Sequence, residues 1–142
     1  MNDYRRIRRA LEVRLETTAQ IPYIFWENTS TENLIGAAHV EPNFIPLSKR
    51  AVDVGPNPME RYDGIFQVLV YSPLHDGVGG AEEIAGLVLD RYRPSDMLQD
   101  IDGDDFAVVR IEYSEAGEAY EDRGCNVLPL NIGWYSFRGN RT

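Results

Sequence analysis

The sequence predicts an α+β fold, a mostly antiparallel sheet of about five strands with two helices packed on one face. Three observations lead there. Residues 65–71, IFQVLVY, are an apolar, β-rich run broken only by Gln67. A half-exposed strand alternates more cleanly, so this run reads as a strand buried on both faces. Ala81, Ile84, Ala85, Val88, Leu89 and Tyr92 then recur at the spacing of one helical face. That face needs a sheet to lie on. Finally, the elements read in the order α, β, β, β, α, β, β, which lacks the strict strand–helix alternation of a parallel sheet.

The first element spans residues 3–18. Tyr4, Ile7, Leu11 and Leu15 form its apolar stripe, with Ala10 and Val13 beside it. Arg5, Arg6, Arg8 and Arg9 cover the rest. A solvated helix face is the plain reading of these arginines. The functional reading is a contact with an acidic neighbouring subunit or partner.

Ile21-Pro22 ends the helix region, and residues 23–26 form a short strand that leaves through a polar turn. Residues 37–47 are extended, and Pro42 and Pro46 argue for an edge strand or a bulge. His39 lies here and reads as a packed or surface histidine rather than a ligand. Residues 48–60 are rich in proline, glycine and charge, and suggest an extended hairpin arm leading into the 65–71 strand. Such arms are often contact elements. Lys49, Arg50, Val52 and Val54 are its candidate interface residues.

Pro73 closes the central strand, and Asp76-Gly77 and Gly79-Gly80 supply turn residues. The second helix is expected over about 78–93, with Asp76 available as a cap. Glu82 and Glu83 stand near its positive end, Arg91 and Arg93 in its last turn, and Pro94 stops it. A strand over 106–113 puts Ala107, Val109, Ile111 and Tyr113 on one face. An acidic turn over 114–124 leads to the last strand, 126–137, completing a C-terminal hairpin over 106–137. Pro129 and Gly133 suggest that this last strand is an edge, a bulge or a bend. The tail RGNRT reads as polar and mobile.

Length and composition bound the rest. A chain of 142 residues, 43% hydrophobic, fits a single domain with a real core. No run nears the ~18 apolar residues of a membrane span, so no membrane partner is expected. The charged N-terminus lacks the apolar stretch of a secretory signal. Cys125 has no internal disulfide partner and reads as a buried, inert thiol suited to a reducing cytoplasm.

The net charge of −9 is unevenly spread. In residues 1–14, five arginines against two acids give +3; in residues 96–122, ten acids against Arg110 give −9. An acidic body disfavours tight binding of a phosphate backbone, though not proximity to DNA.

Motifs for chemistry are thin. Asp100-x-Asp102-x-Asp104 resembles a calcium loop, but Asp105 and Ile111 stand where glycine and glutamate are needed. A solvated acidic loop is the plainer reading. Gly77-Val78-Gly79-Gly80 lacks the lysine and spacing of a phosphate cradle, and Asp76, Glu82 and Glu83 would repel the ligand. Two histidines, one cysteine and no nucleophile elbow leave no evident catalytic centre. The reading is therefore non-enzymatic and without a cofactor. The different-class alternative is a small metal-dependent hydrolase using Asp100, Asp102 and Asp104.

Three stretches carry a family resemblance. They are Phe25-Trp26-Glu27-Asn28 after the first helix, Arg61-Tyr62-x-Gly64-Ile65-Phe66-Gln67-Val68-x-Val70 before a Gly/Ala-rich helix start, and the Trp134 to Phe137 cluster. Over nearly the whole chain they resemble the tail terminator (tail completion, or minor tail) proteins of long-tailed bacteriophages. The resemblance implies a virion protein of the tail or neck, assembled in the host cytoplasm. It implies a hexameric ring that caps the tail tube, ends tube polymerisation and offers the joining surface to the head–tail connector. DNA passes through the lumen without specific binding. Asp100, Asp102, Asp104, Asp105, Glu115 and Glu118 are the candidate acidic lining. A neck or head-closure ring of the same particle is the runner-up.

Overall fold

The structure, a computed structural model, describes residues 3–27, 37–56, 58–98 and 109–138. Helix α1 (Asp3–Glu16) turns its predicted stripe inward. Ile7, Leu11 and Leu15 are fully buried, and Ala10 nearly so. The helix stops two residues short of the expected end. The Thr17 and Thr18 hydroxyls donate back to the carbonyls of Val13 and Arg14, and Gln20 adopts a φ of 67°. These side-chain bonds compete with helical continuation.

The strands are β1 (Tyr23–Ile24), β2 (His39–Ala51), β3 (Glu60–Pro73), β4 (Met97–Leu98), β5 (Val109–Ala116), β6 (Tyr120–Asp122) and β7 (Cys125–Arg138), with helix α2 (Gly77–Leu89) after β3. They form one sheet in the order β1-β2-β3-β7-β5-β4, with β6 also on β7. The short β1–β2 pair is parallel and every other pair is antiparallel. Among the described residues the count is therefore seven rather than about five. The two additions, β4 and β6, have two and three residues and are too short to leave a periodic signature.

Both helices share one core with one face of the sheet. Val40 and Phe44 of β2, Phe66, Val68 and Val70 of β3, and Leu130, Ile132 and Trp134 of β7 join the α1 stripe, Ala81, Ala85 and Val88 of α2, and Tyr92 just after it. Tyr62, Gly64, Phe66, Val68 and Val70 of β3 are buried while Ile65, Gln67 and Leu69 between and beside them are only half-buried; Tyr71 is buried on the second face. The expectation of burial on both faces is corrected here: among the described residues, no helix covers the second face.

Helix α2 begins at Gly77, whose φ of 67° turns the chain after a short 3-10 turn, so Gly79 and Gly80 are helical rather than turn residues. It ends at Leu89, leaving Arg91 and Arg93 beyond its last turn. Arg91 instead donates to the Thr17 hydroxyl at 2.9 Å, and its carbonyl accepts from Arg14 at 3.0 Å. The Tyr92 hydroxyl donates to the Leu11 carbonyl at 2.6 Å in the core, and burial raises its pKa. Tyr92→Phe should cost about 1 kcal/mol, read as a lower urea midpoint with an unchanged slope.

The prolines explain the sheet's borders. Val40 accepts from Phe25 N–H, and Phe44 N–H donates to the Glu27 carboxylate, so these even-numbered β2 residues point their main-chain groups away from β3. Pro42 and Pro46 share that orientation and lose no ladder bond, as the edge reading expected. A bulge at Leu47 follows. β7, in contrast, is central: it pairs with β3 on one side and with β5 and β6 on the other. Pro129 is tolerated there because its carbonyl, and hence its ring nitrogen, faces residues 117–119 between β5 and β6. β5 carries its own bulge between Ile111 and Tyr113. That bulge moves Tyr113 to the helix-free face, where it packs over Gly133 instead of joining Val109 and Ile111.

Candidate interaction surfaces

The expected arm, residues 48–60, begins and ends as strand. β2 runs to Ala51 and β3 starts at Glu60, which leaves only residues 52–59 as its loop. Its tip is held by Val52 N–H to the Met59 carbonyl and by Met59 N–H to Asp53, each at 2.8 Å. At its base the Ser48 hydroxyl donates to Asp63 at 2.6 Å. Val54 is 98% exposed, and Leu47, Val52 and Met59 are also exposed. Exposed apolar side chains grouped on one hairpin make it a candidate contact surface. Lys49 and Arg50 are exposed on the same arm. Lys49 lies 3.6 Å from Glu60 and 5.3 Å from the Tyr62 ring centre.

The helix arginines divide. Arg5 is exposed and Arg6 and Arg9 are half-buried. Arg8 is engaged within its own subunit, 3.7 Å from Glu27 and over the Phe44 ring. Glu27 thereby joins α1 to the β2 edge, a role that no sequence pattern signals.

The helix-free face has a polar row across four strands: Asn43, Gln67, Asn131 and Glu115 are register partners. Gln67 donates to Asn131 at 3.2 Å. Glu115 is exposed on this row, and Glu118 is exposed between β5 and β6. Asp100, Asp102, Asp104 and Asp105 lie outside the described residues, so the proposed metal loop and most of the proposed acidic lining lie there too.

At one end of this face stands a network that the sequence reading missed. The β6–β7 turn is Arg123-Gly124, with φ of 50° and 74°, the positive pair that a two-residue hairpin loop requires. That turn aims Arg123 back over the sheet. Its guanidinium lies 4.8 Å from the Tyr71 ring centre and donates to Glu41 at 2.8 Å, to Asp122 at 3.1 Å and to the Tyr71 hydroxyl. Burial pushes the Tyr71 phenol up to about 12, against the opposing hydrogen bond from Arg123. His39 stacks on Tyr71 at 4.3 Å; its nitrogens meet the Ala37 carbonyl at 2.8 Å and Glu41 at 2.7 Å. His39 is thus a packed histidine, and Cys125 is buried beside Tyr71 and Val127. The network joins β2, β3 and the β6–β7 turn.

Among the described residues the surface thus carries a hairpin with exposed apolar side chains, unpaired strand borders and clustered charge. Among the described residues no group of His, Cys, Asp or Glu is placed to hold a metal, and no helix is long and apolar enough to cross a membrane.

A family model described as phage tail terminator protein matches residues 6–134, and the chain belongs to that family. It is a structural protein of the bacteriophage tail. A solved structure 22% identical to the chain superimposes with a TM-score of 0.63 over 95% of this chain and 92% of its own, which shows a shared fold. No curated protein matches the chain.

Proposed function

We propose that the protein is a tail terminator that closes into a ring, most simply a hexamer. It caps the tail tube, stops its polymerisation and presents the surface that joins the head–tail connector. The family match over residues 6–134 carries this reading. The uneven surface supports it, since a ring is built on heterologous interfaces that need two different complementary patches. Arg5, Arg6 and Arg9 lie on α1, while Glu112, Glu115, Glu118, Glu121 and Asp122 crowd the β5–β6 region. In this proposal DNA passes through an acidic lumen without being gripped. The 52–59 tip, with Val52 and Val54, reaches the tube or the adjacent subunit. No catalytic step and no cofactor enter, and assembly takes place in the host cytoplasm.

Light scattering and negative-stain imaging of one fraction test the ring. About six subunits around an open centre support it; a chain that is monomeric both alone and on tail tubes sinks it. Replacing 53–58 by a two-residue turn should abolish tube capping while leaving the monomer's melting curve intact. Capping by that variant would remove the arm from the proposal. Binding to tail tubes, rather than to the connector alone, separates a terminator from a neck ring.

A further inference from the structure

Among the described residues the sheet has two open borders, and they differ in charge and in backbone. On the β2 side, Pro42 and Pro46 lack an N–H and Phe44 N–H is taken by Glu27, so that stretch offers almost no donors. After the bulge at Leu47 the alternation resets. Val52 N–H points to β3, so Ser48 and Arg50 do as well, while Lys49 and Ala51 direct their main-chain groups outward. Among the described residues no strand pairs with them. Lys49, Arg50 and Ala51 are exposed here, and the two charged ones are basic.

The opposite border is β5. Residues 95–98 cover it only at its start, where Ile111 exchanges main-chain bonds with Ser95 and Asp96. After the β5 bulge, Gly117 N–H points to β7. Ser114 and Ala116 therefore direct their main-chain groups outward, again with no strand on them among the described residues. Glu112, Glu115, Glu118 and Glu121 stand exposed along this border.

We infer that these two borders pair with each other between adjacent subunits, with the arm segment 48–51 of one copy adding to the β5 segment 113–116 of the next. Strand direction favours the match. From border to border the order is β2-β3-β7-β5, each antiparallel to its neighbour. Four alternating strands leave the two borders opposed in direction. Rotation about a ring axis preserves that sense, so a neighbour's β5 meets β2 antiparallel. The side chains are opposite in sign: a basic border of Lys49 and Arg50 meets an acidic one. The pairing also removes two exposed sheet edges, which otherwise invite aggregation. It rests on the ring proposed above and specifies how the ring closes; Pro42 and Pro46 confine the contact to the arm.

Cysteine pairs test it, because Cys125 is buried and adds no background. Residues facing each other across an antiparallel ladder lie within disulfide reach. Four double variants combine Lys49→Cys or Ala51→Cys with Ser114→Cys or Ala116→Cys and so cover the neighbouring registers. Mild oxidation of the assembled protein should give a covalent ladder up to the ring's mass in at least one of them, and no more than dimers in the single variants. Ala116→Pro removes an outward N–H that meets no strand among the described residues. It should keep the wild-type melting curve and lose assembly. A ring of wild-type mass with no ladder in any pair, and unimpaired in the proline variant, overturns the border pairing while leaving the ring standing. A wild-type chain that stays monomeric alone and on tail tubes overturns both.

Discussion

Gly64→Ala is expected to destabilise the protein by about 3 kcal/mol, at the upper end of what overpacking costs. Gly64 sits opposite Trp134 in the β3–β7 ladder, on the core face. A Cβ there would stand 2.4 Å from the Ile45 carbonyl oxygen and 2.6 Å from the indole ring. Neither neighbour can give way: one is backbone in a paired strand, and the other is fully buried and stacked on Phe44 at 5.3 Å. The comparison variant is Gly133→Ala. Its Cβ would meet the Tyr113 ring more closely still. Tyr113 is partly exposed and can swing into solvent, so the expected cost is below about 1 kcal/mol. Urea denaturation of the two variants side by side decides the matter. Equal losses would mean that steric closeness alone, and not the neighbour's freedom to move, sets the cost.

Glu41→Ala is expected to cost about 2 kcal/mol, the loss from breaking a largely buried ion pair, discounted for the partial exposure of its partner. One carboxylate oxygen accepts from both His39 and Arg123. Without it, His39 loses the acceptor at one buried nitrogen, while Arg123 keeps Asp122 and Tyr71. Glu41→Gln retains an acceptor and loses the charge, so it should cost about half as much. The second readout is local: amide exchange of residues 120–127 should quicken in Glu41→Ala before the rest of the sheet is affected. Uniform loss of protection would show that the network supports the whole sheet and not the β6–β7 turn.

Much of the fold was legible in the residues. The α1 stripe and the α2 stripe are periodic over three turns or more, and each face points where its period predicts. Pro42 and Pro46 marked an edge because a missing N–H is tolerated where no strand waits for it. The family was legible too, through the stretches around Phe25, Gly64 and Trp134. The candidate contact elements were legible only in outline: the arm was expected as a hairpin over 48–60, and its strands reach Ala51 on one side and Glu60 on the other. Its Lys49 and Arg50 read as polar loop residues because no apolar alternation accompanies them, and their β3 partners do not pattern with them in sequence.

The same residue type met opposite fates for reasons outside local sequence. Pro129 looked like a mark of an edge, yet it sits in the central strand. It is admitted because β5 has ended and β6 has not begun at the point its nitrogen faces. Tyr113 kept the alternation of Val109 and Ile111 on paper, and one bulged residue put it on the other face. Arg123 belonged to an acidic turn in sequence; a pair of left-handed residues turned it onto Tyr71 and Glu41. Periodicity and prolines by themselves determined the α+β class, both helix faces and the edge character of β2, and the stretches around Phe25, Gly64 and Trp134 carried the resemblance to tail terminators, because each is a property of neighbours along the chain. The position of β7, the face taken by Tyr113, the arm's ladder and the Arg123 network were decided only in the tertiary structure. Each depends on which strand lies alongside, and that is a contact between residues far apart in sequence.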